Sequence, residues 1–306
     1  MATTTSLTTT YSGKVAGGYI RAAFMSNETL AGITVKENVD YKQVVRRLVD
    51  DISFADATCD FTPTGEITLD ERILEIKKLQ IHRQICKGDL GAENGSLLQD
   101  WDAGDIQKDI LPASLTDALI ATILGGAGQK NEDLIWNGDS ANAGEYDGFV
   151  TLIAADGTVV KPSFTTISST NVIAQIGVMV AACPQGVKGA TEKPIIYLSQ
   201  DVWEDFMIAN AGSGNGWYTY GGPEMPKTYL GYQIHVCPGL PANHMLMAQK
   251  SNLWFGTNLL SDWNEVKVLD MTDLDASDNV RFRARFFAGV QYGFGNEIVA
   301  YGANFA

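Results

Sequence analysis

The densest group of chemically active side chains is LDMTDLDASDNV, where Asp270, Asp273, Asp275 and Asp278 place four carboxylates within nine residues. Carboxylate oxygens are the ligands of hard cations. The run lacks the DxDxDG order and the closing glutamate of a calcium loop, so it reads as an acidic surface turn and no metal is assigned to it. The segment that follows, VRFRARF, alternates. Arg281, Arg283 and Arg285 share one face of a strand and Val280, Phe282, Ala284 and Phe286 the other, because strand side chains alternate with period two. Three guanidinium groups on one face need carboxylates opposite them, and the acidic turn is one source, within the chain or across a contact.

Catalytic sets are otherwise missing from the sequence. It has no GxSxG elbow, HExxH pair, GxxxxGK[ST] loop or strand-to-helix GxGxxG, and Gly212, Gly214 and Gly216 have the wrong spacing for the last. Of the three histidines, His82 falls among charges and His235 shares the polar face of a strand whose apolar face is Tyr232, Ile234 and Val236; the third is His244. A histidine placed by strand alternation is more often solvated or hydrogen-bonded than a base. No catalytic residue, cofactor site or metal ligand is expected. Trp217, Tyr218 and Tyr220, in the glycine-rich AGSGNGWYTYGG, have two readings: aromatic anchors at an interface, or a platform on which a ligand stacks.

The 306-residue chain is 45% hydrophobic, enough for real cores. Its 22 Lys and Arg against 36 Asp and Glu give a net charge of −14, which argues against binding that depends on neutralising phosphates with a basic surface. No apolar run reaches the length of a membrane span, and MATTTSLTTT lacks the basic and apolar regions of a signal peptide, so a soluble protein made in the cytoplasm is expected. Cys59, Cys86, Cys183 and Cys237 form no CxxC and read as free thiols, with a late Cys59–Cys86 pairing conceivable.

These residues must be positioned by a mixed set of elements. The Thr-rich first ten residues can bury almost nothing and should be mobile unless a neighbour holds them. GITVKENV reads as extended, and in NVDYKQVVRRL the spacing of Val44, Val45 and Leu48 predicts a helix. Residues 54–87 read as a charged hairpin with too little apolar surface to support itself. A helix is predicted within DILPASLTDALIATILGGAGQKNEDLIWNGD, from Pro112 in its first turn and the stripe Leu111, Leu115, Leu119 and Ile123. Gly125, Gly126 and Gly128 either break it or admit something packed close. FVTLIAADGTVVKP is expected to be a hairpin turning at Asp156-Gly157, followed by a helix over 170–182, a buried strand over 194–198 and a helix carrying Trp203 and Phe206. Strands close the chain, and the fold class is α+β.

In this order the elements resemble those of tailed-bacteriophage major capsid proteins, the HK-ninety-seven-type fold. The matching pieces are the closing VRFRARFFAGVQYGFGNEIVAYG, an IWNGD-like strand over Ile135–Asp139 after the long helix, a YDGF-like turn over Tyr146–Phe149, and ATCDFTPTGEITL. The last resembles the extended loop of gut phages related to the crAss-like group. The resemblance implies an N-terminal arm (1–50), an extended β-hairpin loop or E-loop (51–90), a peripheral domain with a spine helix (91–150), a mainly axial domain (151–235) and a return to the peripheral β-sheet (236–306). It implies a non-enzymatic shell subunit that forms hexamers and pentamers with itself and encloses double-stranded DNA without sequence-specific binding. A portal protein and separate scaffolding or decoration proteins are the other expected partners, the virion the location, and the host cytoplasm the place of assembly. The subunit contacts it implies are Asp60, Phe61, Glu66, Lys77, Lys78, Trp217, Tyr218, Tyr220, Arg281, Arg283 and Arg285. Two other readings stay open: an encapsulin-type compartment, which shares the fold, and a soluble hydrolase or glycan-binding module.

Overall fold

The computed structural model describes residues 9–12, 27–50, 54, 56, 67–86, 113–212, 227–258, 264–277 and 279–305. Three sheets and seven helices organise them. The largest sheet runs β1 (Thr9–Ser12), β11 (Glu265–Asp270), β12 (Asn279–Tyr292), β10 (Leu253–Gly256), β2 (Thr34–Lys36), with β5 (Lys77–Cys86) also paired to β12. A five-stranded sheet runs β13 (Val299–Tyr301), β9 (Met245–Ala248), β6 (Ile195–Ser199), β8 (Tyr232–Cys237), β7 (Thr228–Tyr229). The third is a two-stranded ribbon of β3 (Lys42–Asp50) and β4 (Ile67–Glu75). The helices are α1 (Glu28–Gly32), α2 (Ala113–Asn137), α3 (Phe149–Ala155), α4 (Val172–Ala182), α5 (Gln185–Gly189), α6 (Gln200–Gly212) and α7 (Thr272–Asp275).

Burial explains the apolar runs. The five-stranded sheet is covered on both faces: Tyr197, Cys237 and Leu246 pack into one core with Trp136 and Phe149, while Ile196, Leu198 and Met245 pack into another with Ile176, Val202 and Phe206. A strand buried on both sides has no polar face to show, so IIYLS and MLMA read as continuous apolar segments. The first core extends to Val266, Phe282, Ala284 and Phe286, the inward row of the large sheet, which meets Ile120 and Leu124 of α2.

Three segments differ from the sequence expectations. Residues 42–50 form a strand, because they pair in register with residues 67–75 across the ribbon, and short apolar runs fit either period. Ile135 and Trp136 belong to the last turn of α2, not to a strand, and are 0% and 1% exposed. Residues 149–155 are helical, not the first arm of a hairpin, since Phe149, Val150 and Ile153 fall on one buried face. Gly148 precedes that helix where the chain crosses α2, and a Cβ there would sit 2.5 Å from the Trp136 carbonyl oxygen.

Helix α2 runs unbroken through its three glycines. Around Gly125 and Gly126 a Cβ would meet nothing within 4 Å, so packing inside this chain does not call for glycine there. Gly126→Ala should therefore stabilise the isolated subunit by about 0.5–1 kcal/mol, the helix-propensity difference. Urea titration of the unassembled protein would measure this, and a destabilised variant would refute it.

Candidate functional site: a ribbon rooted on an open sheet face

The β3–β4 ribbon has two unlike faces. On one, ion pairs alternate with apolar residues: Lys42–Glu75 at 2.8 Å, Val44 opposite Ile73, Arg46–Glu71 at 3.3 Å, then Leu69. This face stays open, with Val44, Ile73, Leu69 and Ile67 between 43% and 67% exposed. On the other face, Leu74 is buried with Val39, Ile76, Trp254 and Phe287, and Val45 packs beside them. The ribbon is thus rooted at one end by a small core of its own.

A polar latch completes the root. The Arg72 guanidinium lies 4.6 Å from the centre of the Tyr292 ring and pairs with Asp156 Oδ2 at 2.5 Å. Tyr292 donates its hydroxyl to the same oxygen at 2.7 Å, and Thr158 donates its backbone N–H and hydroxyl to Oδ1. Burial opposes the charge on Asp156, but the hydrogen bonds from Tyr292, Thr158 and Arg72 outweigh it and hold the carboxyl well below the usual carboxylate range. Three distant parts of the chain, 84 and 136 residues apart, are tied at this one carboxylate.

The ribbon root covers one end of the outward face of the large sheet; the other end carries the arginine row. The register places Arg281 beside Gln84 and Leu269, Arg283 beside His82 and Lys267, and Arg285 beside Gln80 and Glu265. Glu265 is one carboxylate that meets the row: it pairs with Arg283 and lies 3.7 Å from Arg285, while Arg281 donates to Gln84 at 3.0 Å. Asp270 of the acidic turn accepts the backbone N–H and hydroxyl of Thr272.

Elsewhere the polar groups hold the fold. His235 Nε2 is 2.8 Å from the Glu28 carbonyl oxygen, and His244 lies between the Ala242 carbonyl and the Asn304 N–H. A cleft of about 700 Å³ between α1, α2 and residues 238–241 includes Glu132, which accepts the Thr29 hydroxyl; Thr29 in turn accepts from Trp136 Nε1 at 2.9 Å. Burial raises the Glu132 pKa above its ordinary 4.5, the bonds from Thr29 and Gly239 opposing. A raised carboxyl pKa favours folding at acid pH and loses that contribution as pH rises through the folded value. Glu132→Gln should accordingly gain stability relative to the parent at pH 8 and lose that advantage at pH 4, read as the difference between two melting curves. An advantage that grows toward acid pH would refute the assignment. Burial likewise pushes the thiols of Cys183 and Cys237 up; these and Cys86 are unbridged, and Cys59 lies outside the described residues. Among the described residues no three His, Cys, Asp or Glu side chains group to hold a metal ion, and no helix is long and apolar enough to cross a membrane.

No protein-family model matches the sequence, and no curated protein does. Solved structures match over nearly the whole chain. The capsid of a native gene transfer agent particle is 12% identical and aligns over 98% of this chain and 94% of that one, with a TM-score of 0.58. The structure of the satellite phage P4 procapsid with its size determination protein gives 12% identity, 94% and 98% coverage and a TM-score of 0.55. A structure from Mycobacterium phage Adephagia gives 14%, 90% and 89%, and 0.56. The fold is the HK-ninety-seven-type capsid fold.

Within this capsid fold the sequence-predicted contact residues fall into separate places. Lys78 is exposed beside the ribbon root, its Nζ 5.8 Å from the Phe287 ring centre, and the three arginines share the outward face, Arg281 exposed and Arg283 and Arg285 half-buried. Lys77 reaches back to the Glu145 carbonyl at 2.6 Å. Asp60, Phe61, Glu66, Trp217, Tyr218 and Tyr220 lie outside the described residues. Sequence reasoning missed Arg72, Asp156, Tyr292 and Glu265. The first three carry no local signal, since no spacing rule links residues so far apart. Glu265 was legible in principle: it opens the alternating strand EVKVLD, whose outward row had to face the arginines.

Proposed function

We propose that this chain is the major capsid protein of a tailed phage, polymerising as hexamers and pentamers into an icosahedral head that encloses double-stranded DNA. The observation that carries this reading is the ribbon: a rooted limb with an open apolar face, on a fold shared with phage and gene transfer agent capsids over at least 90% of this chain. An exposed apolar stripe on a two-stranded ribbon is costly unless a second surface covers it. In this reading α2 is the spine helix, the β3–β4 ribbon belongs to the extended loop, and the lobe of the five-stranded sheet with α4 and α6 is the axial domain. The role is structural and non-enzymatic, the location is the virion, and assembly takes place in the host cytoplasm with a portal protein and separate scaffolding or decoration proteins. The net charge of −14 suits a wall that must not adsorb the enclosed DNA. The likeness of residues 57–69 to gut phages related to the crAss-like group belongs to this proposal and is carried by sequence alone.

Overexpressed protein, fractionated by sedimentation and viewed by negative-stain microscopy, should yield closed shells or rings of hexamers. Protein that stays monomeric at every concentration and salt would overturn the reading. An encapsulin-type compartment is the second reading because it shares the fold; particles filled with a protein cargo and free of nucleic acid would favour it.

A further inference from the structure

We infer that the cleft between α1, α2 and residues 238–241 binds the guanidinium group of an arginine carried on an extended peptide. This goes beyond the shell reading and does not depend on it. The observation that carries it is a buried carboxylate without a counter-charge. Glu132 is 8% exposed and lines the cleft. Thr29 donates to its Oε1 and Gly239 offers a weaker backbone contact, while Oε2 makes no full hydrogen bond. Glu28 and Asp133 line the same cleft, and no Lys, Arg or His stands among the described residues that line it. Asp133 is already answered by Lys130 and Asn137, whereas Glu132 has no cation and feels the repulsion of Glu28. A buried carboxylate in that position is costly unless an opposite charge reaches it.

The size of the cleft and the spacing of its acceptors choose the ligand. Among the described residues no three His, Cys, Asp or Glu side chains group to hold a metal ion, and about 700 Å³ is far more than one ion fills. A planar guanidinium, with five donors in a fixed fork, can reach separated oxygens at once. The helix favours the same sign of charge. The cleft reaches the last turn of α2 at Asn137, where the helix dipole is negative and no basic residue offsets it. Asn27 adds the peptide: it is 7% exposed, lines the cleft, and its Nδ2 has no acceptor, which a backbone carbonyl beside the arginine would supply. Gly125 leaves room on the opposite wall, since a Cβ there would meet nothing within 4 Å.

The probe is the peptide acetyl-Gly-Arg-Gly-amide, titrated by calorimetry into the full-length unassembled protein. A Kd of about 1 mM is expected. At about 10 mM the probe should then raise the folded-to-unfolded ratio in urea about tenfold, because only the folded state holds the cleft. Acetyl-Gly-Leu-Gly-amide at matched salt should do neither. A chain of net charge −14 attracts any cation loosely, so the variants decide. Glu132→Gln should weaken binding about tenfold or more with the circular dichroism spectrum unchanged. Should that variant fail to fold, Gly125→Lys tests the same site: it places a competing ammonium in the cleft from the open wall and should abolish probe binding. Equal binding by the parent and either folded variant would reduce the effect to diffuse surface charge and overturn the inference. No binding by the parent at about 10 mM would also overturn it. Magnesium that displaces the probe, in a manner dependent on Glu132, would make this a metal site instead. Putrescine that binds as tightly as the peptide, with the same loss in Glu132→Gln, would put a free diamine there and overturn the peptide assignment. The shell reading is untouched by any of these results, since it stands or falls with particle formation.

Discussion

Replacing Ile67, Leu69 and Ile73 together by threonine should abolish particle formation while leaving the subunit folded. Threonine is β-branched, as Ile67 and Ile73 are, and has a high strand propensity, so the ribbon's backbone pairing has no reason to fail. The three side chains are 67%, 58% and 45% exposed, and exposed substitutions of this kind shift stability by only about 0.5 kcal/mol each. Between copies the same positions would be covered, where a buried aliphatic side chain is worth about 1.5–3 kcal/mol. Even half of that for each of three residues is a loss of about 40-fold or more in each contact. Sedimentation would report assembly and circular dichroism the fold. Shells formed at parental yield would show that the ribbon face is ordinary solvated surface and that assembly does not depend on it.

The second large effect concerns the subunit alone. Trp136→Ala should cost about 3–5 kcal/mol of folding stability, the range for removing a buried tryptophan. Trp136 is 1% exposed at the last turn of α2, 5.5 Å from the Phe149 ring and 6.2 Å from the Tyr197 ring. Its Nε1–H donates to Thr29, whose hydroxyl serves Glu132, so truncation also strips a partner from a buried polar chain. Tyr197 extends the junction to the Gly32 carbonyl at 2.7 Å, so helix, sheet and the α1 segment meet at this indole. Urea unfolding would measure the loss. Trp136→Phe should retain most of the stability, and a loss below about 1 kcal/mol for the alanine variant would show that the junction repacks freely.

Much of the body was legible because local periodicity and burial agree. The buried strand over 195–199, the helices over 172–182 and 200–212, and the alternating row of β12 are found as their spacing predicts. The errors fall where two periods fit the same few residues. Val44, Val45 and Leu48 satisfy a helical spacing but lie in a strand, and Phe149 to Ile153 suggest a strand but form a helical turn. In both cases a distant partner made the choice: strand β4 for the first, the core around Trp136 for the second.

The same division holds for the charged surfaces and the ribbon. The arginine row and the acidic stretch from Asp50 to Glu71 are properties of the sequence, because alternation and charge are written in neighbouring residues. Only the tertiary structure decided that Glu265 meets the row, that the Arg72–Asp156–Tyr292 latch exists, and that the ribbon is anchored on one face and bare on the other. Those facts depend on contacts between residues far apart along the chain, which local pattern cannot specify and which burial settles only once the whole chain has folded.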